Sequence, residues 1–171
     1  MPVGRELFRA ISGSFPTGVV IVTTRAEDGA PRGLTTQAYM GLSTDPPLML
    51  VALDKTSRTL RALERSRAFV LNFLRAGSDD LAMVFASKSD EKFRGVSWRP
   101  CPQAKGAPIL VDGSVAYAGC LVTEAVEAGD HWMFIGSVEA GERFSGAPLM
   151  YYRRTYASWP EERPAPPVGG D

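Results

Sequence analysis

The strongest β-strand signal in the chain is an apolar run near the N-terminus, Gly18-Val19-Val20-Ile21-Val22-Thr23-Thr24. Every residue after the glycine is β-branched, and such residues favour strands because they pack well on a pleated surface. The apolar residues are consecutive, whereas a strand with one solvated face would alternate apolar and polar residues. The sequence therefore predicts a strand that needs apolar cover on both faces.

Further short strands and a few helices are predicted along the rest of the chain. Helices are expected at the N-terminus (ending at Gly13), from Ser57 to Arg65, and from Ser78 onward, while residues 87–108 are predicted to be irregular. Strands are expected at residues 34–43, 48–53, 68–74, 114–127, 131–140 and 149–152. This pattern predicts a mainly β fold, a small barrel of six or seven antiparallel strands with short helices at its rims.

The strand predicted at residues 131–140 also suggests a second subunit. Trp132, Phe134 and Val138 point to one face, and Met133 and Ile135 point to the other. The interior of a barrel covers only one of these faces, so the outer apolar face needs a helix or another chain over it. We therefore expect a homodimer; the alternative is that the protein's own helices cover this face.

Length and charge limit the classes of protein that the chain can belong to. Its 171 residues fit one domain, expected at residues 1–158, followed by a Pro-rich tail at 159–171 that is expected to be mobile. Lys and Arg together number 19, as do Asp and Glu, which argues against a nucleic-acid partner. Neither a membrane-spanning run nor a signal segment is apparent, so a cytoplasmic protein is expected.

Several common kinds of site are excluded by residue count. The chain has one histidine and two cysteines, Cys101 and Cys120, so neither a metal cluster nor a disulfide framework is expected. The motifs of serine hydrolases, of P-loop proteins and of the usual dinucleotide-binding folds do not occur. Any nicotinamide cofactor would therefore be held in some other way.

Three polar segments remain as candidates for chemistry. Residues 54–59 place hydroxyls and cations at a helix start, which suits a phosphate, although a capped surface helix would have the same pattern. Residues 34–43 carry hydroxyl and amide side chains that could bind the edge of a planar ligand, or they form an ordinary half-exposed strand. Asp130 and His131 follow a turn glycine, where a solvated turn histidine is the simple alternative.

Taken together, six segments resemble the flavin reductase family, whose fold is the FMN-binding split barrel. The resemblance runs from about Leu7 to Trp159. The matching segments, in chain order, are residues 15–24, 33–48, 55–59, 85–89, 92–98 and 129–138. The chain departs from the family at Gln37-Ala38-Tyr39, where Ser-Ser-Phe is common, and at Gly41, which is often Ser.

The resemblance implies a Greek-key split β-barrel enzyme that transfers hydride from NADH or NADPH to FMN or FAD. Members of the family often supply reduced flavin to a flavin-dependent monooxygenase, so such a partner is expected. An arginine cluster that would mark the ribose phosphate of NADPH is not obvious, which favours NADH. Two alternatives are a flavin or haem carrier without enzymatic activity, in which His131 could bind the iron, and a deazaflavin-dependent reductase.

The resemblance also assigns roles to individual residues. The flavin phosphate is expected at Ser57 and Thr59, with charge from Lys55 or Arg58. His131 is expected to contact the nicotinamide, with Asp130 orienting its turn and Tyr152 or Arg153 completing the pocket. The remaining expected flavin contacts are Thr35, Thr36, Gln37 and Ala38 at the ring edge, and Phe85 and Phe93 packed near the ring.

Overall fold

The computed structural model describes residues 1–159. Its helices are α1 (Arg5–Ser12), α2 (Arg58–Ser66) and α3 (Asp79–Ala86). Its strands are β1 (Thr17–Gly18), β2 (Val20–Arg25), β3 (Pro31–Thr36), β4 (Tyr39–Thr44), β5 (Pro47–Asp54), β6 (Ala68–Leu74), β7 (Arg99–Cys101), β8 (Ala107–Ile109), β9 (Ser114–Ala128), β10 (His131–Arg143), β11 (Leu149–Tyr152) and β12 (Thr155–Ser158). Except for Trp159, the predicted Pro-rich tail lies outside the described residues.

Seven strands form the main sheet, in the order β3-β2-β6-β9-β10-β5-β4, and all neighbours are antiparallel. A smaller sheet contains β1, β11 and β12, and β7 pairs with β8. The prediction of a mainly β fold with six or seven antiparallel strands is confirmed. Because β3 and β4 are the end strands of the main sheet, each keeps one edge without a strand neighbour in that sheet.

The strand β2 is covered on both faces by other parts of the same chain. Val20 and Val22 belong to a core cluster that includes Leu63 of α2. Ile21 points the other way and packs in a second cluster with Phe85 of α3. All five side chains are fully buried, so this strand needs no second subunit over it.

Unlike β2, the strand β10 has an outer face that stays partly exposed. Phe134 is fully buried, and Trp132 and Val138 pack against the same cluster, as predicted. On the opposite face, register places Ile135 beside Leu50, Leu50 beside Met40, and Met133 beside Val126. Met40 is 50% exposed and Val126 is 36% exposed. We call these five residues the outer patch: Met40, Leu50, Val126, Met133 and Ile135.

The N-terminal helix α1 forms as predicted and ends at Gly13. None of its residues is buried, and Leu7, Phe8 and Ile11 are between 54% and 61% exposed. The helix therefore presents an apolar face that residues 1–159 leave largely uncovered. No helix within those residues has the length and apolar character needed to span a membrane.

The extended segment predicted at residues 34–43 is two strands, because the chain turns at Gln37 and Ala38. The amide of Ala38 donates to the hydroxyl of Thr36 at 3.0 Å, and the carbonyl of Ala38 accepts from the amide of Ala52 at 2.8 Å. These bonds end β3 and begin β4, which pairs with β5 instead of β2.

Three other details differ from the sequence predictions. Ser78 precedes α3, but its hydroxyl donates to the carbonyl of Gly113 at 3.2 Å and does not cap the helix. The stretch at residues 87–108 contains the short strand pair β7 and β8, and β12 was not predicted. Only the bond of Ser78 depends on a residue distant in sequence; β7 and β8, like β11 and β12, pair with each other within a few residues, and their short runs lack a clear strand pattern.

Both cysteines are buried and free. Burial raises the pKa of Cys120 to about 12, and nearby Cys101 and Glu139 add to the effect. The thiol of Cys120 therefore stays protonated at neutral pH. The two free thiols agree with the sequence prediction that these cysteines do not build a disulfide framework.

Candidate active site

One cavity of about 610 Å³ lies between the edge strand β3, the start of α2 and the segment that follows α3. This volume is within the range of about 300–1,000 Å³ that is typical of small-molecule sites. Eight of the sequence-predicted site residues line it: Thr35, Thr36, Ser57, Arg58, Thr59, Phe85, Phe93 and His131. Segments from four separate regions of the chain therefore meet at one concave surface.

The turn before α2 is ordered by two side chains that bond to the backbone. The carboxylate of Asp54 accepts from the amide and the hydroxyl of Thr56, at 2.7 and 2.6 Å. These bonds lower the pKa of Asp54, and the nearby His131 contributes. Ser57 caps α2, its hydroxyl oxygen accepting from the amide of Thr59 at 3.1 Å. The helix thus presents a fixed N-terminus, with its partial positive charge, at the cavity wall.

Cations line the wall beside this helix start. Arg58 is paired with Asp90 and donates to the carbonyl of Lys88 at 2.5 Å. The ammonium of Lys92 donates to the carbonyls of Phe85 at 2.7 Å and Gly33 at 3.2 Å. Burial lowers the pKa of Lys92, and the positive charge of Arg58 lowers it further. An anion placed in the cavity would relieve this repulsion between like charges.

The opposite wall is the edge strand β3, which supplies mainly backbone groups. The hydroxyl of Thr35 donates to the carbonyl of Ala82 at 2.7 Å, and that of Thr36 accepts from Ala38. Both side chains are therefore engaged within the protein. Because β3 pairs only with β2 in the main sheet, its other backbone edge is left for a ligand.

Aromatic side chains close the inner end of the cavity. Phe85 is fully buried and meets Phe93 edge to face, with ring centroids 4.9 Å apart. A Cβ atom on Gly33 would lie 2.9 Å from the Phe85 ring, so glycine is required for β3 to pack this closely on α3. The aromatic pair thus fixes the distance between the edge strand and the helix behind it.

His131 reaches the cavity because β10 pairs with β5. Its backbone is directly opposite Asp54, at the end of the ladder, and the amide of Lys55 donates to the carbonyl of Asp130 at 3.0 Å. The Nδ1 atom of His131 lies 2.7 Å from an oxygen of the Asp130 carboxylate, and the imidazole holds the pKa of Asp130 below its ordinary value. Within residues 1–159, Nε2 has no hydrogen-bond partner and can meet a ligand.

The other predicted site residues do not line this cavity. Lys55 is paired with Glu127, and Asp130 holds His131 from the turn. Gln37 and Ala38 are exposed, and Gln37 and Arg153 line a second cavity of about 760 Å³ beside α1. The guanidinium of Arg153 lies over the ring of Tyr152, 5.1 Å from its centroid, in the turn between β11 and β12.

Sequence reasoning gave no individual role to several polar residues that line the cavity, although Asp54 and Thr56 belong to the segment 54–59 that it proposed for a phosphate. They are Arg32, Asp54, Thr56, Ser87, Lys88, Ser89, Asp90 and Lys92. Lys88 and Lys92 lie in the segments 85–89 and 92–98, which contributed to the family resemblance. That resemblance was the signal that could have assigned them to the site. Arg32 had none, because a lone arginine just before a predicted strand is ordinary.

The antiparallel sheet and the cavity at its edge strand define a protein of the split-barrel class. Residues 12–160 match the family described as "Flavin reductase like domain", and the chain belongs to this family.

Individual relatives support this assignment, and each match covers most of both chains. The chain is 44% identical over 162 residues to flavin reductase (NADH) from Kitasatospora aureofaciens, covering 94% of this chain and 84% of that protein. It resembles the structure of nitrilotriacetate monooxygenase component B from Mycobacterium thermoresistibile, with a TM-score of 0.86, 36% identity and coverage of 98% and 93%. A third match is the Streptomyces globisporus NADH:FAD oxidoreductase SgcE6 in complex with NAD and FAD fragments, with a TM-score of 0.85, 30% identity and coverage of 92% and 94%.

The contact between Asp130 and His131 predicts the titration of this carboxylate. In the native protein, the Asp130 carboxyl should titrate below its ordinary pKa, because its ionised form accepts a hydrogen bond from the imidazole. In His131→Ala the pKa should rise toward the ordinary value. The measurement is the carboxyl carbon chemical shift against pH. Asp54 is the internal control, since its pKa is lowered mainly by Thr56 and should stay low. An Asp130 pKa that is the same in both proteins would contradict the assigned contact.

Proposed function

We propose that this protein is an NAD(P)H-dependent flavin reductase that transfers hydride from a nicotinamide to FMN or FAD, with residues 1–158 as its single domain. One observation carries the proposal. The capped start of α2, the free edge of β3 and the imidazole of His131 line a single open cavity of about 610 Å³. An anion site, a hydrogen-bonding edge and a nicotinamide contact are the three elements that such a reaction needs.

The flavin phosphate is assigned to the start of α2. The Ser57 oxygen already accepts from the amide of Thr59, which leaves the hydroxyl proton of Ser57 to donate to a phosphate oxygen. Thr59 is 4% exposed and contributes by holding this geometry. Arg58 and Lys88 supply positive charge at the cavity wall. Lys55 is paired with Glu127 instead.

The ring system is assigned to the free edge of β3. Backbone N–H groups of that strand would donate to the ring edge and would stabilise negative charge on the reduced ring. Phe85 and Phe93 form an apolar wall that excludes water from one side. When bound, the flavin supplies the hydride-accepting atom, and the protein supplies position and electrostatics.

His131 is assigned to the nicotinamide. Asp130 fixes the imidazole through Nδ1, which directs Nε2 outward to the ligand. This contact orients the nicotinamide against the ring, where a short approach distance governs the rate. Both residues therefore act by positioning, and neither needs to transfer a proton.

The proposed partner is a flavin-dependent monooxygenase that receives reduced flavin by diffusion. The cavity is open to solvent, so a reduced ligand can leave without a change of fold. One structural relative is nitrilotriacetate monooxygenase component B. A cytoplasmic location is part of the proposal, and the two free buried thiols fit a reducing compartment.

We also propose that two copies of the chain associate through the outer patch. Its residues are contributed by four adjacent strands and are contiguous across the sheet. The uncovered apolar face of α1 offers a second region for the same association. Burial of such surfaces is the main source of free energy in stable dimers.

Dimer formation is tested by placing a charge in the outer patch. The native protein should sediment as a dimer, and Ile135→Asp should shift it to monomer because an unpaired carboxylate would be buried in the interface. The matched control is Met83→Asp on α3, which is 51% exposed and outside the patch, and should remain dimeric. A native protein that sediments as a monomer at micromolar concentration would exclude this interface.

The nicotinamide contact is tested by His131→Ala. The native protein should oxidise NADH when FMN is added. The reaction is measured as the loss of NADH absorbance. The variant should lose about tenfold or more in kcat/KM for NADH, the scale of one polar contact of about 1–3 kcal/mol. Its Kd for FMN should stay within about twofold. Unchanged kcat/KM would remove His131 from the site, and a haem spectrum without NADH oxidation would contradict the proposed function.

The phosphate site is tested by comparing two ligands that differ only in the phosphate. Ser57→Ala should weaken FMN by about tenfold or more, because a hydrogen bond to a charged group is lost, and leave riboflavin nearly unchanged. Ser78→Ala, at the start of α3 and outside the cavity, is the control. Binding is measured by flavin fluorescence. Equal loss for FMN and riboflavin would show that Ser57 acts through the fold and not through the phosphate.

A further inference from the structure

A second, smaller cleft adjoins the main cavity on the outer side of α2. It has a volume of about 360 Å³ and lies between that helix and the turn that follows β2. Two of its lining residues, Arg32 and Arg58, also line the main cavity, so the two spaces meet at this arginine pair.

Three arginines of α2 face this cleft because of their spacing. Arg58, Arg61 and Arg65 are three and four residues apart, which places them on one face of the helix. The opposite face carries the buried residues Leu60 and Leu63. Packing of the apolar face against the core therefore directs all three guanidinium groups outward, toward Arg32 on β3.

The charges in the cleft are not balanced. Four arginines face two carboxylates, Glu27 and Asp28. Arg65 is paired with Glu27, and Arg58 is paired with Asp90 from the main cavity. Among residues 1–159, Arg61 has no ion pair, and Arg32 donates only to the neighbouring carbonyl of Pro31, at 3.1 Å. Arg32 and Arg61 thus have guanidinium donors available for an anion.

We infer that this cleft binds the second phosphate of a dinucleotide flavin, so that FAD is held at two anion sites and FMN at one. The inference rests on the proposed function, which assigns the first phosphate to the start of α2. A phosphate joined to the first by one bridging oxygen must lie beside it, and Arg58 stands between the two spaces. Guanidinium groups bind phosphate oxygens through paired N–H donors.

The nicotinamide dinucleotide is the other possible source of an adenosine-linked phosphate. His131, to which the nicotinamide is assigned, lines the main cavity but not the cleft. The cleft is assigned to the flavin because it adjoins the start of α2, where the first flavin phosphate is placed, and Arg58 lines both spaces. The two sources are separated by varying the flavin and the nicotinamide cofactor independently.

The test compares FMN with FAD in Arg61→Ala and Arg32→Ala. Each variant should raise the Kd and KM for FAD about tenfold and change those for FMN by less than about twofold. The NADH to NADPH preference should not change. Arg143→Ala is the control, because it removes the same charge from an exposed position on β10 outside both cavities. Kd is measured by flavin fluorescence and KM by NADH oxidation.

Three results would overturn the inference. Equal weakening of FMN and FAD binding would show a general effect of charge. Unchanged FAD binding would show that the cleft is empty in the complex. A change confined to NADPH would assign the cleft to the nicotinamide cofactor. If the native protein binds FMN and oxidises NADH while any of these holds, the proposed function stands and only this inference fails. If the native protein binds neither flavin, both fail.

Discussion

The pairing of β10 with β5 is the constraint on which the candidate site depends. Its last register pair sets His131 opposite Asp54, and the bond from the amide of Lys55 to the carbonyl of Asp130 extends the contact into the turn. A shift of one residue would turn every β10 side chain to the other face, moving Phe134 out of the core. The core packing therefore fixes the position of the imidazole relative to the start of α2.

A second constraint is the half-buried ammonium of Lys92, which joins two elements that the sheet does not connect. Its bonds to the carbonyls of Gly33 and Phe85 hold the segment after α3 against the edge strand. The group is close enough to Arg58 for their charges to repel. The same lysine thus shapes the wall of the cavity and makes that wall favourable for an anion, linking fold stability to ligand preference.

Sequence patterns predicted those elements whose identity is set locally. The strand at residues 68–74 has the predicted bounds, because an apolar run interrupted only by Asn72 is both its signal and its cause. The break at Gln37 was missed because the bond that fixes it comes from Ala52, on another strand. Ser57 and His131 were assigned to one site only through the family resemblance. The pairing register of β10 with β5, which brings them together, cannot be predicted from either segment alone. Of the two residues expected to complete the pocket, Arg153 lines a different cavity and Tyr152 lines neither of the two.

The buried thiol of Cys120 has a consequence for an enzyme that handles reduced flavin. Free reduced flavin reacts with dissolved oxygen and yields hydrogen peroxide close to the protein that released it. Peroxide attacks cysteine as the thiolate, the form that a pKa of about 12 keeps scarce at neutral pH. Cys120, inside this barrel, is thereby protected from the oxidant that the protein's own chemistry generates.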